Sequence, residues 1–127
     1  MKLEFLESGS PDCPLIRLYD FDNPAALWLT ASIRALAGGP TQHIPLHDQS
    51  GINPVQGCQL DLRLGSHNGG IVQTSPNAFE CVLTSEGWAK VADLIEPFCR
   101  TEDGKEQYQW LNEDGPISLL LSQTGRW

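Results

Sequence analysis

The sequence predicts an α+β protein: an antiparallel or mixed β-sheet with two helices packed on one face, a two-layer sandwich in the approximate order ββαβββαββ. Three observations lead there. Two segments carry apolar residues at helical spacing between clear boundary residues. The rest of the chain alternates apolar and polar residues with period two. Runs of strands, not single strands, separate the helices. This last pattern disfavours a Rossmann-type nucleotide fold, which needs strict alternation of strand and helix.

Leu3 to Leu6 and Leu15 to Tyr19 read as a first pair of strands across the turn Ser8-Gly9-Ser10-Pro11-Asp12. The first helix opens at Asp22-Asn23-Pro24, where Asn23 is placed to cap free backbone N–H groups and Pro24 suits a position whose N–H has no helical partner. Its buried stripe is Ala25, Leu29, Ile33 and Leu36, with Arg34 on the solvent side, and Gly38-Gly39-Pro40 stops it. A short strand around Ile44-Pro45-Leu46 is interrupted by its proline.

The clearest strand is Cys58 to Leu64, with Cys58, Leu60, Leu62 and Leu64 on one face and Gln59, Asp61 and Arg63 on the other. Ser66-His67-Asn68-Gly69-Gly70 turns into a short Ile71-Val72 strand. Phe79, Cys81 and Leu83 then alternate against Glu80, Val82 and Thr84. The second helix starts with Ser85 as cap, buries Trp88, Val91, Ala92 and Ile95, and ends near Glu96 because Pro97 cannot continue it. Glu106 to Leu111 and Ile117 to Leu121 complete the sheet across the turn Asn112-Glu113-Asp114-Gly115.

The 127 residues, 40% hydrophobic and 19% charged, suffice for a single globular domain spanning 1–127, with no low-complexity segment and no internal repeat. The formal charge of −8 and the pI of about 4.6 argue against nucleic acid as the main partner, because Lys and Arg must neutralise its phosphates. An acidic surface suits a basic protein. The longest apolar stretch, Ala25 to Ala37, is too short to span a bilayer and contains Arg34. Acids in Met1 to Glu7 stand where a secretory signal would be apolar, so the expected location is cytoplasmic.

Candidate chemistry is sparse. Asp20-Phe21-Asp22 after an apolar run resembles the DxD stretch of haloacid-dehalogenase phosphatases, but Pro24 stands where that family has Thr or Val, and no parallel βα framework follows. His43 and His47 are four residues apart with Pro45 between them, so they do not share a helix face as zinc ligands would. Cys13, Cys58, Cys81 and Cys99 match no metal or redox spacing, and the Gly38-Gly39 and Gly69-Gly70 pairs lack the lysine and context of a phosphate loop. No catalytic residue, cofactor or metal is expected.

The function expected is therefore that of a non-catalytic domain binding a protein, either a basic partner or a second copy of itself, similar in size and charge to small acidic inhibitor or immunity proteins. Its interface is expected on the polar sheet face, with Val82, Leu111 and Leu120 among Glu80 and Asp61. The alternative is a small-ligand binder or enzyme whose pocket, between the sheet and the first helix, uses His43, His47 and His67.

Overall fold

The computed structural model of the chain describes residues 1–100 and 108–127, and its two helices and mixed sheets confirm the α+β class. Strand β1 (Lys2–Leu6) and β2 (Leu15–Tyr19) precede helix α1 (Asn23–Gly38). Strands β3 (His43–Pro45), β4 (Asn53–Pro54), β5 (Gln59–Leu64), β6 (Gly70–Ser75) and β7 (Ala78–Leu83) follow. Helix α2 (Ser85–Ile95) leads through a 3₁₀ turn, Glu96–Arg100, to β8 (Tyr108–Asn112) and β9 (Ser118–Ser122). Glu106 and Gln107, the predicted start of β8, lie outside the described residues.

The helix boundaries follow local chemistry, with two shifts of one residue. Asp22, not Asn23, caps α1, its carboxylate accepting from the Ala25 N–H at 3.0 Å, and Gly39 ends the helix at φ +96°. Thr84, not Ser85, caps α2 by accepting from the Gly87 N–H at 3.1 Å. Ser85 instead donates its hydroxyl to the Ala37 carbonyl, tying the start of α2 to the end of α1. Regular helix stops at Ile95, ahead of Pro97.

Where one sheet was expected, the described strands divide between two, in the orders β4-β1-β2-β9-β8 and β3-β5-β7-β6. The division has a simple logic. The chain runs twice through the same plan of antiparallel hairpin, helix, antiparallel pair: β1-β2, α1, β3-β5, then β6-β7, α2, β8-β9. The closing pair of each half then joins the opening hairpin of the other half by a parallel ladder, β2 with β9 and β7 with β5. The fold thus repeats internally although the sequence does not. β4 is the exception, adding Asn53 and Pro54 beside Lys2 and Leu3 at one edge.

One hydrophobic core links both sheets and both helices. Ile16, Leu18, Leu119 and Leu121 from the first sheet, Leu60, Leu62, Cys81 and Leu83 from the second, and Leu29, Ile33, Val91 and Ile95 from the helices form a continuous buried cluster. The rings of Phe5 and Phe79 meet at 4.5 Å across the sheets. Trp88 is fully buried, and its indole N–H donates to the Arg63 carbonyl at 2.9 Å, fixing α2 over β5.

The sheets also touch at two glycines. Gly70 takes φ +70°, and a Cβ placed there would lie 2.3 Å from the Gly115 nitrogen; one on Gly115 would lie 2.7 Å from the Ile71 carbonyl oxygen. The approach permits the antiparallel bridge between Ile71 and Ile117. Both the backbone conformation and the contact exclude a side chain, so Gly70→Ala is expected to cost about 2 kcal/mol or more, read as a lower urea midpoint at unchanged slope. An unchanged midpoint would show that the two sheets do not depend on this approach.

Candidate interaction surface

Each sheet has an inner face in the common core and an outer face away from it, and the repeated plan allows the outer faces to be compared position by position. On the first sheet, the third residues of β1, β2 and β9 lie abreast as Glu4, Arg17 and Leu120. On the second, the third residues of β6, β7 and β5 lie abreast as Val72, Glu80 and Asp61.

The outer face of the first sheet is closed by residues 123–127. Arg17 donates from Nε and Nη2 to Glu4 Oε1 at 2.9 and 2.6 Å and from Nη1 to the Gly125 carbonyl at 2.7 Å. Its guanidinium lies 4.0 Å from the centre of the Tyr19 ring, whose hydroxyl donates to the same Glu4 oxygen at 3.1 Å. Partial burial, then the Glu4 hydrogen bond, push the Tyr19 phenol above its ordinary pKa. Ser122 donates to the Arg126 carbonyl at 2.5 Å, and the Trp127 indole donates to Asp12 at 2.9 Å. Under this strap Leu15 and Leu120 are both 0% exposed.

Two of the five expected interface residues are therefore misplaced. Leu120 points to the outer face as expected, but residues 123–127 and Arg17 close over it. Leu111 is buried in the common core because β8 runs in the opposite phase: Gln109 pairs with inward Leu121, and Tyr108 and Trp110 pair with outward Ser122 and Leu120. The amphipathic Tyr and Trp tolerate the wet side of an edge strand, and the aliphatic Leu111 does not.

Val82, Glu80 and Asp61 do share a surface, the outer face of the second sheet. Asp61 and Glu80 stand directly across from one another on the parallel pair β5-β7, with side chains 30% and 33% exposed. His43, beside Arg63 on β3, donates from Nε2 to Asp61 Oδ1 at 2.6 Å, and Arg63 Nε lies 3.6 Å from Glu80 Oε1, beyond hydrogen-bond range. Val72 on β6, absent from the sequence-based site, is 43% exposed beside Glu80. Two apolar residues in succession, Ile71 and Val72, give no phase, and only the register shows that Val72 meets Glu80. No segment of the described chain covers this face as 123–127 covers the other.

The histidines of the alternative site are not brought together. His43 is on the outer sheet face, His47 accepts from the Leu60 N–H at 3.1 Å, and His67 is exposed in the β5-β6 loop. A groove of about 310 Å³ between α1 and β3 takes in His43, but neither His47 nor His67. Its counterpart of about 330 Å³ between α2 and β8 is lined by Lys90, Leu94, Trp110 and Glu113, among others. Among the described residues no three His, Cys, Asp or Glu side chains gather as metal ligands, and no helix is long and apolar enough to cross a membrane. Asp20 and Asp22 part company as well, Asp20 pairing with Lys2 at 3.5 Å while Asp22 caps α1.

The four cysteines are unbonded. Burial pushes the Cys58 thiol up to about 11 and the Cys81 thiol up to about 12, so both are held protonated, whereas Cys13 and Cys99 are partly exposed. At about pH 8 a disulfide reagent should therefore modify Cys13 and Cys99 in the native protein and reach Cys58 and Cys81 only after denaturant is added. Rapid native reaction at Cys81 would contradict its burial. Leu120→Glu should cost roughly 3 kcal/mol or more, because it buries an unpaired carboxylate, and circular dichroism should show the variant largely unfolded. A variant as stable as the wild type would mean that 123–127 does not hold this face.

No protein-family model matches the chain, and no curated protein or solved structure matches it, so the reading of this surface rests on its own chemistry.

Proposed function

We propose that the protein is a non-catalytic, cytoplasmic protein-binding domain that docks its partner on the outer face of β3-β5-β7-β6. One observation carries the reading: two sheets are built on the same plan, one outer face is closed by the chain's own residues 123–127, and no described segment covers the equivalent face of the other. The open face has the composition of a modest interface, with Val72 and Val82 among Asp61, Arg63, Glu80 and His43. The unbonded cysteines accord with a reducing compartment.

A photoreactive benzoylphenylalanine at Val72 tests the surface, with one at Leu27 of α1, 61% exposed, as the comparison. Irradiation in the native cell should give a discrete adduct from position 72 and none of the same mass from position 27. Excess wild-type protein should compete it away, and Val72→Glu protein should not. Identical adducts at both positions, or equal competition by the variant, would exclude this face.

A further inference from the structure

The two outer faces differ most at their centres, and the difference specifies what the open one binds. In the first sheet the central residue of the row is a donor, Arg17, and the strap presents an acceptor to it, the Gly125 carbonyl. In the second sheet the same row holds two acceptors, Glu80 and Asp61, abreast on neighbouring strands. Like charges directly opposite on a sheet repel, and placing two carboxylates there costs stability unless donors satisfy them.

The donors that the chain supplies are at the flank. His43 donates to Asp61 from the β3 side, and Arg63 forms an ion pair with Glu80 at 3.6 Å without a hydrogen bond from its Nε. On the β6 side of Glu80 the neighbour is Val72, which offers apolar contact and no donor. A ligand complementary to this row places a cation over the carboxylates and an aliphatic group over Val72. The occupant of the equivalent row is a turn of the chain, which sets the Gly125 carbonyl against Arg17.

We infer that the open face receives a basic protein, which sets an arginine or lysine side chain against Glu80 and Asp61 and an apolar residue against Val72. This rests on the interaction-surface reading above and adds the partner's chemistry to it. The net charge of −8 steers a basic partner towards the protein and opposes docking of a second copy.

The probe is a short, end-blocked peptide of alternating valine and arginine, titrated into isotope-labelled protein and followed by amide chemical shifts, with a valine-glutamate peptide as the control. Shifts should be confined to β5, β6 and β7, with the affinity falling as salt is added. Glu80→Gln, which keeps the side-chain shape, should weaken binding by about threefold or more, and Asp61→Asn with Glu80→Gln by about tenfold or more. Preserved spectral dispersion in these neutral variants will separate lost recognition from lost folding. Equal binding of the two peptides, unchanged affinity in the double variant, or shifts elsewhere on the molecule would each overturn the inference. If the double variant binds normally while Val72 still crosslinks a competed partner, the surface stands and its preference for a cation falls. If neither experiment marks this face, both readings fall together.

Discussion

Each sheet closes only through a parallel ladder between the two halves of the chain, β2 with β9 and β5 with β7. Neither half can bury its own apolar faces, because each contributes two strands to the sheet that the other half opens. The single core, the glycine approach at Gly70 and Gly115, and the contact of Phe5 with Phe79 all depend on that exchange. It also brings Arg17 beside Leu120 and Glu80 beside Asp61, so the character of both outer faces is set by pairings remote in sequence.

Local features were legible because local chemistry decides them. Asp22-Asn23-Pro24 and Gly38-Gly39-Pro40 bound α1 whatever the rest of the chain does, and the alternation of Gln59 to Leu64 defines a strand without reference to its neighbours. Which oxygen caps a helix was less legible, since Asp22 and Asn23 are chemically equivalent for the purpose and only the backbone at the first turn distinguishes them.

The candidate surface was legible only in part, for two separate reasons. Alternation assigns Leu120 to the side away from the core correctly, but cannot show that Arg17 and residues 123–127 will close that side. In Tyr108 to Asn112 apolar and amphipathic residues occupy both phases, so either face can be read as buried until Gln109 is seen to pair with Leu121. That Val82, Glu80 and Asp61 share one sheet face was legible because β5 and β7 alternate cleanly and lie side by side. The face of Val72 was not, since two apolar residues in succession give no phase.

The ladder between β2 and β9 has a consequence for synthesis. About a hundred residues separate its strands, and at roughly 5–20 residues per second the ribosome needs about 5–20 s to deliver the second after the first. Throughout that interval the β1-β2 hairpin carries an unpaired edge rich in aliphatic residues, Leu15-Ile16-Arg17-Leu18-Tyr19. Nascent chains on one messenger present the same edge to one another, so correct folding competes with pairing between neighbours, and Arg17 is the one charged gatekeeper in that strand.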